Sequence, residues 1–304
     1  MSARIHNARL AATFGAGLWV VMAGSVTAAP KPAALAKMAA PAQAIAWPAF
    51  QPAVPALRAG EKLTYDVHWE DVYAGQIVLE VQRRETFGTG GTEVWRVRCD
   101  ARSSPFLSSL FEIHDVFTTL IDAREGFAQS SVIVKNEGAL HGTESVAFRY
   151  EQPGAILTKI KRKQSGVSRT NVVDMILPGK VHDPLSYLYA LRAQPLASGG
   201  EYRATVNADR KNWLVTLRVV SREEITLAGL GTFVVRVVSP AARSPDGASS
   251  GKLRLTAWVD EQTRIPLLLR LVAPLGSVTI TLITAEKSPL VPRRLPQASG
   301  GGRQ

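Results

Sequence analysis

Residues Gly60–Val81, GEKLTYDVHWEDVYAGQIVLEV, decide the fold class. Leu63, Tyr65, Val67 and Trp69 alternate with polar neighbours, and Ile77, Leu79 and Val81 do the same after Gly75. Side chains of a strand point to opposite faces in turn, so this alternation describes two half-buried strands. The segment Asp71–Gly75 between them is short and ends in glycine, which predicts a hairpin. The opposite parity carries Asp66, His68 and Glu70. These are three potential ligands or proton carriers, with same-face neighbours about 7 Å apart. A metal would need further ligands from other strands. His114, His141 and His182 are available, but no spacing ties them to this strand, and the chain has no HExxH and no Cys/His cluster. The polar parity therefore reads as the wet side of the hairpin.

The same period continues along the chain. FGTGGT at 87–92 is a turn and 94–101 the next strand. Further β-rich runs lie at 112–122, 127–136, 142–151 and 155–163. A second batch covers 201–209, 213–222, 231–239, 252–260, 265–273 and 277–286, with a turn at Arg210-Lys211-Asn212. Two segments break the alternation. PFLSSLF at 105–111 has room for one or two helical turns. DPLSYLYALR at 183–192 is a better helix: Asp183 suits the N-cap, Pro184 the first helical position, and Leu185, Leu188 and Leu191 form one stripe. Arg192 then suits the C-terminal dipole. The expectation is a mainly β protein: an antiparallel curved sheet or partly open barrel, or two packed β-subdomains, with one short helix near 183–193.

The N-terminus looks like an export signal. Arg4 and Arg9 precede an apolar run, and Val26-Thr27-Ala28 offers a small-residue cleavage site. The run is also near the length of a membrane span, so retention as an anchor is the alternative. The expected organisation is a signal peptide at 1–28 and an Ala/Pro-rich tether at 29–58. An antiparallel β domain follows at 59–287, divisible into halves at 59–180 and 195–287, and then a disordered basic tail at 288–304. The domain is large enough to fold without staples, and Cys99, the single cysteine, excludes an internal disulfide. Its parity with Trp95 and Val97 makes it a small core residue.

The formal charge is +11, or +9 once Arg4 and Arg9 leave with the signal. Cations gather at Lys159, Lys161, Arg162 and Lys163 and at Arg293, Arg294 and Arg303. In an exported protein the available polyanions are envelope polymers and lipid headgroups, so nucleic acid is not expected. Lys159, Lys161 and Lys163 read first as the solvated face of one strand.

Three phrases, GEKLTYDVHWEDVYAGQIVLEV at 60–81, DPLSYLYALR at 183–192 and AWVDEQTRIPLLLRLVAPLGSVTITL at 257–282, together resemble a family of bacterial exported proteins catalogued as domain of unknown function number 3108. The resemblance implies an exported, mainly β protein of the Gram-negative envelope. It supplies no catalytic residues, cofactor or metal.

Signals of chemistry are weak elsewhere. Gly247-Ala248-Ser249-Ser250-Gly251 matches GxSxG, but Pro245-Asp246 precedes it and a strand follows, the reverse of a nucleophile elbow. His182, Asp183 and Ser186 lie close in sequence, yet Asp183 is accounted for as a cap and no oxyanion device is visible. Glu70-Asp71 and Glu223-Glu224 are adjacent and would point to opposite faces of a strand. Gly88–Gly91 lacks the Lys-Ser/Thr and helix of a phosphate loop. The expected function is a non-catalytic periplasmic or cell-envelope protein that presents a curved apolar sheet to a lipid, a lipoprotein or another envelope partner, with no catalytic, cofactor or metal residues assigned. The apolar run Pro266–Val272 motivates it. The alternatives are a periplasmic hydrolase and an outer-membrane-associated β-barrel, the latter disfavoured by 7% aromatic content and charges on many strands.

Overall fold

The β1–β2 hairpin seeds a single sheet. In the computed structural model, which describes residues 46–52, 57–151, 154–162, 168–244, 253–274 and 276–293, the N-terminal strands are β1 (Lys62–Trp69), β2 (Val72–Phe87) and β3 (Thr92–Ser103). Helix α1 (Pro105–Leu110) precedes β4 (His114–Asp122), β5 (Ala128–Glu137), β6 (Leu140–Arg149), β7 (Gly154–Arg162) and β8 (Ser168–Ile176). Helix α2 (Pro184–Arg192) leads into β9 (Glu201–Ala208), β10 (Lys211–Leu227), β11 (Gly231–Arg243), β12 (Arg254–Asp260), β13 (Pro266–Ala273) and β14 (Gly276–Glu286). Among the described residues they form one 14-stranded sheet in the order β8-β7-β6-β5-β4-β3-β2-β1-β14-β13-β12-β11-β10-β9. Each half is a meander, and β1 pairs with β14 antiparallel to join them. The two halves are thus one continuous sheet and not packed subdomains. Strands β8 and β9 stay unpaired with each other, so the sheet curls without closing, and α2 lies on the chain that connects them.

Register explains the core. Tyr65 lies opposite Ile77 on β2 and Leu282 on β14. Leu79 faces Cys99, and Cys99 faces Phe117. Directly paired residues share a face, so these rows converge in one buried cluster with Leu185 and Tyr189 of α2. Each such aliphatic or aromatic side chain contributes about 1.5–3 kcal/mol on full burial. Cys99 is buried as expected, and that burial pushes its thiol up to about 12. The outer face carries the charges: Asp100 accepts from Arg98 (2.7 Å) and Arg102 (2.8 Å), and Glu85 accepts from Arg96 (2.5 Å).

Several boundaries differ from the sequence expectation. The first hairpin turns at Glu70-Asp71, not over 71–75, and Glu70 takes φ +49° there. Gly75 sits inside β2, next to a break in register at Val67/His68. A Cβ on Gly75 would fall 2.1 Å from the Arg102 carbonyl oxygen, so glycine is needed for close approach of β3. The β9–β10 turn is Asp209-Arg210, with φ +47° and +63°, as a two-residue hairpin with both residues left-handed requires. Strand β8 was absent from the expected set. Its sequence, SRTNVVDMI, alternates weakly because it is a sheet edge. Beyond β14 the chain does not leave the body at Ser288: Leu290 packs on the main core, and the Arg293 N–H donates to the Thr232 carbonyl (2.8 Å). At the other end, Leu57 is buried, and the Phe50 ring lies 5.8 Å from Phe127 and 5.2 Å from His182. Parts of the expected tether and tail therefore belong to the folded body.

Candidate functional site

Helix α2 occupies the mouth of the curled sheet because both its ends are fastened. At the N-terminus the Asp183 carboxylate accepts from the Ser186 backbone N–H (2.8 Å), while the Ser186 hydroxyl oxygen accepts from the Asp183 N–H (2.8 Å). This is a reciprocal capping box. The second Asp183 carboxylate oxygen accepts the Thr119 hydroxyl of β4. Burial raises the Asp183 pKa, and the hydrogen bonds from Thr119 and Ser186 oppose that rise. At the C-terminus Arg192 does not merely complement the helix dipole. Its guanidinium reaches Glu61, just before β1, in a two-pronged pair with Nη1–Oε1 at 2.5 Å and Nη2–Oε2 at 3.0 Å. Both side chains are essentially sealed from solvent, at 2% and 0% exposure. Desolvation works against the Arg192 charge, but the hydrogen bonds and attraction of Glu61 outweigh it and leave its pKa raised. The guanidinium also lies 5.2 Å from the Tyr189 ring centroid. The Tyr65 hydroxyl donates to the Pro266 carbonyl (3.0 Å).

Between α2 and the concave face lies an apolar cavity of ≈ 90 Å³. Leu188 and Leu191 of α2 form its roof, Tyr65, Leu79 and Ile280 one wall, and Leu217, Val238, Ala257 and Leu269 the other. It is a greasy slot with little polar lining besides Arg264 and the tyrosines. Trp258 packs half-buried against the main core and does not line this cavity. Its neighbours Ala257 and Val259 line the cavity, while the Trp258 indole N–H donates to Glu223 (3.0 Å).

A second cavity, ≈ 210 Å³, lies at the edge strand β9. Its walls are Pro48–Gln51, the outer turn of α2 around Tyr187 and Leu191, Lys180, His182 and residues 201–205. Tyr187 and Leu191 line both cavities. His182 is held there by a bridge to Val206: its N–H donates to the Thr205 carbonyl (2.9 Å) and its carbonyl accepts from the Asn207 N–H (2.7 Å). Burial pulls the His182 pKa down to about 4, against a hydrogen bond to the Gly126 backbone.

The structure scatters the other sequence candidates. Asp66 accepts weakly from Gln76 (3.4 Å), His68 packs 5.6 Å from the Tyr73 ring, and Glu70 leaves the strand to accept from the Ser277 N–H (2.6 Å). His114 lies 3.5 Å from Asp100, and His141 bonds Asn136 at 3.0 Å. Glu223 takes the Trp258 indole and Glu224 takes Arg293. Gly88 and Gly91 form the open β2–β3 turn. Among the described residues no group of three His, Cys, Asp or Glu is placed to hold a metal ion. Lys159 and Lys161 lie in β7, paired in register with Glu144 and Gly142. Lys163, Arg294, Arg303 and Gly247–Gly251 lie outside the described residues. Sequence reasoning missed the Glu61–Arg192 pair, although both residues stand inside the phrases singled out for their resemblance. The visible signal was an acidic residue beside the first buried strand and an arginine ending a helix whose other residues are mostly buried.

Comparison with known proteins bears on the fold. The model of the family described as Protein of unknown function (DUF3108) matches residues 64–283. No curated protein matches the chain. Among solved structures, the chain is similar to a β-barrel-like protein of domain of unknown function DUF1849 from Brucella abortus, at 14% identity over 75% of this chain and 97% of that one, with TM-score 0.48. It is also similar to a putative exported protein with YmcC-like fold from Bacteroides fragilis, at 8% identity over 78% and 100% of the two chains, TM-score 0.30. A third is a putative lipoprotein from Parabacteroides distasonis, at 11% identity over 78% and 99%, TM-score 0.31.

Proposed function

The chain belongs to the family described as Protein of unknown function (DUF3108), and we propose that it is a non-catalytic protein of the cell envelope that holds an acyl chain of a lipid or lipoprotein between α2 and the concave sheet. The observation that carries this reading is the apolar cavity of ≈ 90 Å³ in a sheet that curls without closing. Cores pack to crystal-like density with few voids larger than a water molecule, and an apolar slot with few polar groups has the lining of a small-molecule site, which an acyl chain would widen toward the about 300–1,000 Å³ usual for such sites. The Arg4/Arg9-flanked apolar run with its Val26-Thr27-Ala28 cleavage pattern supports export to the periplasm. A barrel spanning the outer membrane is not supported, since β8 and β9 do not pair to close the sheet and its outer face carries Arg98, Asp100 and Arg102.

Delipidated protein titrated with a fluorescent fatty acid tests the reading. Saturable uptake is expected, and Ala257→Phe, which fills the slot, is expected to abolish it while preserving the β circular-dichroism spectrum. Absence of uptake by the unaltered protein, or full uptake by Ala257→Phe, would refute it.

A further inference from the structure

Two residues that line the cavity at the edge of β9 each hold a buried polar atom without a partner among the described residues. The Tyr187 hydroxyl and His182 Nδ1 have no hydrogen-bond partner among the described residues, although the side chains belong to residues only 7% and 4% exposed. Their rings stand 6.1 Å apart, centroid to centroid, and both residues line the ≈ 210 Å³ cavity. Leaving such groups unpaired costs on the order of 1–3 kcal/mol each, which selects for a partner. The cations on this cavity already have partners: Lys180 faces Glu125 (2.5 Å) and Arg203 faces Glu201 (2.7 Å). Through Tyr187 and Leu191 this polar space adjoins the apolar slot.

We propose that the β9-edge cavity is the headgroup subsite of the same ligand site and takes an uncharged, hydroxyl-bearing headgroup, the hydroxyl donating to His182 Nδ1 and accepting from the Tyr187 hydroxyl. The inference rests on the acyl-chain reading above and adds the class of amphiphile. The His182 ring, with its pKa drawn down to about 4 and its other nitrogen engaged by the Gly126 backbone, is neutral at physiological pH. Its free Nδ1 therefore accepts and does not donate, which suits a hydroxyl and repels a carboxylate or phosphate oxygen. The segment Pro48–Gln51 forms the outer wall, with Phe50 against His182.

The test compares 1-monodecanoylglycerol, decanoate and 1-chlorodecane, titrated at pH 7.5 into delipidated full-length protein and its Tyr187→Phe variant. The monoacylglycerol is expected to bind about 3- to 10-fold more tightly than the chloroalkane, as one net hydrogen bond supplies, and Tyr187→Phe is expected to erase that margin. The unliganded thermal midpoint should not fall in the variant, because the lost hydroxyl has no partner among the described residues. Equal affinities of the three ligands, or a margin that survives Tyr187→Phe, overturn the headgroup subsite while leaving the acyl slot standing. A preference for decanoate also overturns it. Binding of none of the three overturns the acyl reading and the subsite with it.

Discussion

The sealed ion pair between Glu61 and Arg192 makes a sharp prediction about stability. Replacing Arg192 with Met leaves the Glu61 carboxylate, at 0% exposure, without the guanidinium that pairs with it. Loss of one member of a buried pair costs about 3–5 kcal/mol, chiefly through the charge left behind. The cost here should sit toward the upper end, since both carboxylate oxygens accept from the guanidinium and both side chains are sealed from solvent. For a domain of this size each kcal/mol moves the thermal midpoint by about 2–4 °C, so the midpoint should drop by roughly 6–20 °C. Glu61→Leu combined with Arg192→Met removes both charges and is expected to recover most of that loss, because apolar replacements of buried pairs are often neutral or stabilising. Urea denaturation followed by far-ultraviolet circular dichroism, with both single variants and the double, measures the coupling. A single variant costing under about 1 kcal/mol, or a double variant as unstable as the singles added together, would refute the assignment of the pair as a buried, mutually dependent unit.

Acid should destabilise the fold through His182. Its folded pKa near 4 lies below the ordinary 6.5, so the unfolded chain binds the extra proton between those values; stability is whole above pH 6.5 and falls toward pH 4 by at most about 3 kcal/mol. Asp115 acts oppositely, since burial and then Glu137 raise its carboxyl to about 7. The measurement is therefore the difference in urea midpoint between the protein and His182→Phe, which should shrink as pH drops from 7 to 4; a constant difference would contradict it. Cys99 should resist maleimide at pH 8 in the native state and label only at the rate of unfolding, as its burial and raised pKa require; rapid native labelling would show an open core. Gly75→Ala should cost more than about 1 kcal/mol in the same denaturation assay, because its Cβ meets the Arg102 carbonyl at 2.1 Å.

Local pattern made most of the strands legible, and distant pairing was not legible at all. The alternation of Leu63, Tyr65 and Val67 and the Asp183-Pro184 start of α2 are set by neighbours within a few residues, and both stand in the structure. Parity readings failed where the ladder slips. Register breaks occur at Val81/Arg83, Val219/Ser221 and Trp258/Val259, and each extra residue shifts the later side chains to the other face. The break at Val67/His68 likewise sits beside Gly75, which lies inside β2 and not in the turn expected over 71–75. The pairing of β1 with β14 and the bond from Arg192 to Glu61 join residues far apart in the chain. No periodicity encodes such contacts. The apolar slot was foreshadowed only by the excess of leucine in β13, and the β9-edge cavity by nothing, because its wall at Pro48–Gln51 reads as a tether.

The fastening of α2 also decides how a ligand would reach the slot. A sheet whose end strands β8 and β9 do not pair invites the view of α2 as a lid that swings away. Its N-terminus, however, is tied to β4 through Asp183 and Thr119, and its C-terminus to Glu61 through two charged hydrogen bonds, all of them buried. Swinging the helix would expose or orphan both attachments, at several kcal/mol. The opposite wall is weaker: Phe50 holds Pro48–Gln51 to the body by ring contacts with His182 and Phe127, each worth about 0.5–1.5 kcal/mol beyond area. Entry along β9, past the Pro48–Gln51 segment, is then the low-cost route. Phe50→Ala should accelerate both uptake and release of an acyl probe in stopped-flow fluorescence, with a smaller change in affinity. Uptake rates that respond to Thr119→Val instead, and not to Phe50→Ala, would place the gate at α2 and reverse the assignment.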